Sequence, residues 1–195
     1  MARRPAPGTR DRILDSAERL FREHGPRAVG MQQIIDDCGC GKNLLYREFA
    51  SKDELVAAYL ERCQQEWTAT MVDATRPHAD DPAASLVALV RAVVEQVTAP
   101  EFRGCPFRIA YAEFPDEAHP AHQVALRHVK QLRARLRGLA TRAQAQHPRA
   151  LADRIMLIID GLYVNGAMLG RRGAAAGAVA FAEELVHSST GTHRR

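Results

Sequence analysis

No stretch of this chain approaches the roughly 20 consecutive apolar residues that a membrane-spanning helix requires, and the greasiest, Ile155 to Leu169, is broken by Asp160 and Asn165. No membrane association is expected. The N-terminus carries Arg3 and Arg4 but no apolar segment of the secretory kind. Only four cysteines occur, Cys38, Cys40, Cys63 and Cys105, widely spread, and the expected compartment is a reducing cytoplasm. Strand-like alternation is missing throughout, as is any repeat of fixed period. The one low-complexity piece is the short Ala/Gly region Gly173 to Gly177. No glycine-rich phosphate loop, nucleophile elbow or metal-hydrolase motif is present, so nothing argues for an enzyme and no cofactor is expected. Charge of one sign is also in short supply: 27 Lys and Arg against 23 Asp and Glu leave a net charge of +4. That is a slight hint of a polyanionic partner, and the placement of the charges carries more weight.

What remains is the composition of a globular protein, 46% hydrophobic, 26% charged and 6% aromatic over 195 residues. Helical periodicity runs almost from end to end, so the expected fold is all-α with about nine helices. Ile13, Leu14, Ala17, Leu20 and Phe21 make one apolar stripe, with Thr9 as the expected N-cap and Gly25-Pro26 as the stop. Met31, Ile34, Ile35 and Cys38 repeat the spacing over barely two turns, Gly39 permits a tight turn, and a second short helix follows from Lys42 to Phe49. Ser51 and Glu54 form a capping box that starts a long helix reaching Thr75. Asp81 and Pro82 launch a helix with Leu86, Leu89, Val90, Val93 and Val97 on one face, and Pro100 closes it. Cys105 to Phe114 is a shorter helix. From Pro120 the stripe Ala125, Val129, Leu132, Leu136, Leu139 and Ala143 lies opposite Arg127, Lys130, Arg133 and Arg137, which read as a solvated face. Pro148 starts a helix apolar on most sides, and Ala174 to His187 forms the last.

The functional signal lies between Met31 and Lys52, where a two-turn amphipathic helix, a glycine turn and a second short helix precede a capped third. This is the layout of a helix-turn-helix, whose second helix enters the DNA major groove and reads base edges. On that helix Leu45 and Phe49 stand four apart and face a core, leaving Lys42, Asn43, Tyr46 and Arg47 to phosphates and bases.

The string Thr9-Arg-Asp-Arg-Ile-Leu, with Ala17, Leu20-Phe21, Gly25, Ile34, Gly39, Lys42, Leu45-Tyr46, Phe49 and Ser51-Lys52 in order, resembles the N-terminal signature of tetracycline-repressor (TetR) type regulators. The resemblance implies a helix-turn-helix DNA-binding domain over residues 1–52 and a helical effector-binding and dimerisation domain over 53–195. The expected DNA contacts are Gln32, Gln33, Lys42, Asn43, Leu44, Tyr46, Arg47 and Lys52. Gly41 and Leu44 stand where the family usually has a hydroxyl residue, Asn43 replaces a common glycine, and Gly30 lacks the usual capping hydroxyl. Leu44 is suited to a thymine methyl instead. Arg3, Arg4 and Arg10 read either as a minor-groove arm or as a functionally silent tail, and are not counted among the expected contacts.

The resemblance further implies a homodimer on double-stranded, palindromic operator DNA, acting as a repressor released by a small-molecule effector of unknown identity. The dimer interface is expected at Ala174, Ala178, Phe181, Ala182 and Leu185 on the last helix. Trp67, Met71, Phe107, Tyr111, Phe114, Met156 and Tyr163 are the candidate effector lining, against the plainer reading that they are core. Asp160 and Asn165 would be costly to bury without partners, so they either contact a polar ligand group or find partners at the interface, the latter being preferred.

Cys105 supports a thiol-sensing alternative: Gly104-Cys105-Pro106 starts a helix near Arg103 and Arg108, where dipole and cations favour a thiolate able to sense electrophiles or oxidants. The competing reading is a buried structural thiol. Cys38-x-Cys40 without a second pair is a poor zinc signature, and His119, His122 and His128 read as surface histidines, so no metal is expected. A helical small-molecule carrier without DNA binding is the remaining alternative; an intact Lys42, Tyr46 and Lys52 set argues against it.

Overall fold

A computed structural model describes residues 8–170 and 173–191, all of whose regular structure is helical. The order is α1 (Thr9–His24), α2 (Met31–Cys38), α3 (Lys42–Glu48), α4 (Lys52–Thr75), a 3-10 turn (Arg76–His78), α5 (Pro82–Val97), α6 (Pro106–Glu113), α7 (Pro120–Arg142), α8 (Pro148–Leu169) and α9 (Ala175–Thr190). Among the described residues no helix is long and apolar enough to cross a membrane.

The chain divides into two compact units. One takes in the chain up to Gln65 together with Cys105–His128; the other takes in Glu66–Gly104 and the chain from Val129 onward. In the first, the α1 stripe puts Ile13, Ala17 and Phe21 inside with Ile34, Leu45, Phe49, Leu55, Val56 and Leu60. Each Ile, Leu, Val or Phe among them contributes about 1.5–3 kcal/mol on burial. Phe21 meets Tyr59 edge to face at 5.3 Å. The start of α1 differs from expectation: Gly8, in the left-handed region at φ 83°, occupies the cap, and Thr9 is a buried first helical residue. A residue needed in the core cannot also turn outward to cap.

In the second unit α5 packs against both α8 and α9. Leu86, Leu89, Val90 and Val93 meet a core that holds Ile155, Ile159, Ala175, Ala178, Ala182 and Val186. Asp81 caps α5 as expected, its carboxylate accepting from the Ala84 N–H at 2.9 Å. Gly166 lets α8 close on the end of α5, since a Cβ there would lie 2.4 Å from Val97 Cβ. The basic face of α7 is partly paired. In this unit Arg133 grips Asp153 through two hydrogen bonds of 2.6 and 2.9 Å, and in the first unit Arg127 reaches Glu61 at 3.3 Å.

Candidate nucleic-acid interface

α2 ends where Gly39 takes the left-handed conformation (φ 61°, ψ 24°), and α3 restarts after the extended Gly41. Two N–H groups of α3, from Leu44 and Leu45, share the Gly41 carbonyl at 2.9 and 3.1 Å. With Leu45 and Phe49 fully buried, Lys42, Asn43 and Arg47 are exposed and Tyr46 is 42% exposed, while Leu44 is half-buried. One short helix thus offers a cation, an amide, a phenol and a guanidinium from a fixed base.

That base is held by arginines of α1. Arg10 donates to the Glu48 carbonyl at 2.7 Å and lies 4.1 Å from the Phe49 ring centroid, closing the end of α3. Arg12 donates to the Cys38 carbonyl at 3.0 Å, closing the end of α2, and Arg19 pairs with Asp37. Sequence reasoning missed these struts and grouped Arg10 with a minor-groove arm. The usable signal was that the last carbonyls of short helices attract cations. Arg3 and Arg4 lie outside the described residues.

Gln32 and Gln33 are exposed but engaged within their own helix. Gln33 Oε1 accepts from the Gly30 N–H at 2.6 Å, supplying half a capping box where the hydroxyl is missing, and Gln32 donates to Asp36 at 2.8 Å. Ser51 Oγ accepts from the Glu54 N–H at 3.1 Å, while Glu54 reaches back one residue further than expected, to the Ala50 N–H. Lys52 is half-buried and donates to the Arg27 carbonyl at 2.7 Å. Burial lowers its pKa, against the opposing pull of Glu113 and Asp53.

The Arg27 loop is strapped from the other side as well. Glu113, at the end of α6, accepts from the Arg27 N–H at 2.8 Å, and the Arg27 guanidinium donates to the Glu113 carbonyl at 2.9 Å. Gly25 (φ 81°) makes room for this carboxylate, for a Cβ there would stand 2.5 Å from Glu113 Oε1. The end of α6 and the start of α4 therefore grip one loop between α1 and α2.

Against the expectation of surface histidines, His122 and His128 are buried and His119 is half-buried. The start of α7 lays their rings on aromatic residues from α6 and its end: His128 on Phe107 (centroids 3.7 Å apart), His122 on Tyr111 (4.5 Å) and His119 on Phe114 (4.3 Å). His122 Nδ1 is hydrogen-bonded to the Phe114 carbonyl at 2.9 Å and His128 Nδ1 to Gln64 Oε1. Burial, helped by Arg108, pushes the His128 pKa down to about 4, so its imidazole is neutral near pH 7. Among the described residues no group of three or more His, Cys, Asp or Glu side chains is arranged to hold a metal ion. Tyr111, expected in a pocket lining, is 51% exposed.

Cys105 does not have the electrostatics expected of it. It is 6% exposed, and burial pushes its thiol pKa up despite Arg108 and the backbone N–H groups of Phe107 and Arg108. Desolvation outweighs the helix start, which is the environment of a structural thiol.

The remaining candidate lining residues, Trp67, Met71, Met156 and Tyr163, are buried in the second unit. Trp67 Nε1 donates to the Tyr163 hydroxyl at 3.1 Å, which donates to Gln96 Oε1 at 3.1 Å. Phe102 stacks over the Tyr163 ring. A polar relay thus threads an apolar setting, each donor satisfied.

On α8 and α9, an apolar groove of about 400 Å³ is lined by Leu157, Gly161, Asn165, Ala174, Gly177 and Phe181, among others. Met168 is 78% and Phe181 58% exposed, with Leu157, Val164 and Leu169 also open to solvent. Asn165 donates to the Gly161 carbonyl at 2.9 Å. Of the expected interface residues, Ala174, Phe181 and Leu185 border this groove and Ala178 sits at its buried edge. Ala182 is a correction: it is fully buried in its own unit, because α9 spends that side of its stripe on intramolecular packing with α5 and α8.

The family model for bacterial regulatory proteins of the tetR family matches residues 13–59. An uncharacterized HTH-type transcriptional regulator of Mycobacterium tuberculosis is 48% identical over 52 residues, 27% of this chain and 26% of the relative. The HTH-type transcriptional activator FasR of Mycolicibacterium smegmatis is 40% identical over 60 residues, 31% of this chain and 27% of the relative. These matches span about a quarter of the curated relatives' length. A TetR-family transcriptional regulator from Streptomyces coelicolor superposes with a TM-score of 0.87 at 26% identity, over 93% of this chain and 95% of that one.

Proposed function

From the premise that this chain belongs to the tetR family of bacterial regulatory proteins, we propose that it is a cytoplasmic, homodimeric, DNA-binding transcriptional regulator and that it acts as a repressor. The observation that carries the reading is the division of labour on α3. Leu45 and Phe49 anchor the helix, and Lys42, Asn43, Tyr46 and Arg47 stand exposed, inside the segment that matches the family. Residues 1–52 form the reading head and 53–195 the sensing and pairing domain. Lys42 and Lys52 serve phosphates, Lys52 with the donors its bond to Arg27 leaves over; Asn43 and Arg47 are placed for base edges and Leu44 for a thymine methyl. Two copies joined through the exposed apolar residues of α8 and α9 present two heads, and a two-fold protein reads a palindrome.

Release by a small-molecule effector rests on the strap between Glu113 and Arg27. α6 lies in the same compact unit as the head, so a ligand that prefers a different position of α6 shifts the head's equilibrium by its differential affinity for the two states. Phe107 on α6 and Phe114 at its end supply the apolar chemistry such a ligand meets.

The test is selection of duplexes from a random pool by the purified dimer, then titration of the selected site against salt. A palindrome should emerge, and Lys42→Ala should flatten the log–log salt slope by about one unit. A well-folded dimer that enriches no sequence overturns the reading.

A further inference from the structure

Cys38 and Cys40 flank the turn glycine of the helix-turn-helix, and their sulfurs are bonded to each other, with Cα atoms 5.3 Å apart. That separation is ordinary for a disulfide. The ring is closed through Gly39, whose left-handed backbone (φ 61°) brings two side chains two positions apart onto one side. Cys38 is the last residue of α2, and Cys40 precedes Gly41, the cap of α3. The bond thus ties the supporting helix directly to the reading helix. Both cysteines are half-buried between the exposed Gly39, Gly41, Asp37 and Lys42, and a Cβ on Gly39 or Gly41 would meet nothing within 4 Å. Small reagents reach this turn from solvent, whereas Cys63 and Cys105 are buried.

We propose that Cys38 and Cys40 are a reversible dithiol–disulfide modification site, and that the closed state holds α3 in its DNA-reading position. The second clause rests on the DNA-binding reading above. The oxidant class is a peroxide. One thiol loses its proton, and the thiolate attacks a peroxide oxygen, breaking the O–O bond to give a sulfenic acid and a hydroxide that takes up that proton as water. The neighbouring thiol sulfur then displaces the sulfenic oxygen, which leaves with the thiol proton as a second water, so the S–S bond forms as the peroxide accepts two electrons. A dithiol reductant reverses the step by exchange. The arrangement with the bond closed keeps Ile34, Leu45 and Phe49 fully buried, so oxidation is compatible with an assembled head. Opening the ring restores freedom to a short loop, which limits the effect to about ten-fold.

The experiment uses the full chain, reduced and then treated with hydrogen peroxide. Solvent-accessible thiol titration should fall by the Cys38 and Cys40 thiols, with the intact mass lower by two hydrogens, in wild type but not in Cys38→Ser or Cys40→Ser. Peroxide that leaves the accessible thiols unchanged, or links separate chains instead, overturns the site. Amide exchange over residues 36–44 should slow by up to about ten-fold on oxidation, a readout that needs no DNA; unchanged exchange overturns the locking role. Affinity for the selected duplex should then be several-fold higher in the oxidised form, and equal affinities with the disulfide formed overturn the control of reading. A chain that binds no duplex in either state, yet closes the bond and protects the turn, refutes the DNA-binding reading and with it the clause resting on it, while the modification site stands.

Discussion

His128 makes the stability of this protein depend on pH in a way that one substitution isolates. The residue is 4% exposed, its ring stacked on Phe107, hydrogen-bonded to Gln64 from α4 and close to the Arg108 guanidinium. The fold depresses its pKa from 6.5 to about 4, so the unfolded chain takes up the proton first. The native state keeps its full advantage above pH 6.5 and loses it as pH falls toward 4, where the loss levels off. At 1.36 kcal/mol per unit the whole window amounts to about 3 kcal/mol, of which about 2 kcal/mol is lost between pH 7 and pH 5. Other groups titrate in this range, so the informative quantity is a difference. Urea unfolding of wild type and His128→Gln at pH 7, 6 and 5 should show wild type losing about 2 kcal/mol more than the variant by pH 5. Parallel losses in the two proteins, or a folded-state His128 ring that titrates by NMR near its ordinary value, would refute the reasoning.

Glu113→Ala removes the acceptor of the Arg27 N–H and should cost about 1 kcal/mol in urea, below the usual range for a hydrogen bond to a charged group because the site is solvent-exposed. Amide exchange at residues 27–30 should quicken with it, and an unchanged rate would show that the strap is idle. Gly166→Ala forces a Cβ to within 2.4 Å of Val97 Cβ; overpacking of about 1–3 kcal/mol exceeds the helix-propensity gain of about 1 kcal/mol. Val97→Gly, which deletes the clashing carbon, should relieve that loss where Val97→Ala does not. Phe181→Glu, on a side chain 58% exposed, should leave helix content and monomer stability intact and shift the sedimentation coefficient from dimer to monomer; a dimer that persists at micromolar concentration places the interface elsewhere.

The spacing of apolar residues was enough to outline the helices of this chain, because a helix that buries one face must repeat its apolar residues with its own period. The reading head was legible for the same reason. Leu45 on α3 and Phe49 at its end stand four apart and are its two fully buried anchors, so the identity of the exposed residues follows from the string itself. Capping was legible where it is local, at Asp81, and misread at Thr9, where the core claimed the side chain. Cys105 shows the limit of local electrostatics: a helix start and two arginines favour a thiolate, and burial in the folded chain reverses the sign. The buried histidines of α7 belong to the same class, since nothing in their own segment announces the aromatic residues of α6 that cover them.

The sequence by itself determined that the chain is helical, where its turns fall, and which four side chains α3 presents, because each of these depends on neighbours within one or two turns. Only the tertiary structure decided which arginines close the short helices and that Glu113 holds the Arg27 loop. It also decided that Ala182 faces inward while Phe181 beside it faces out, and that the Cys38 and Cys40 sulfurs meet. Those outcomes depend on which apolar face lies against which, and an amphipathic stripe specifies that it must be covered without specifying by what.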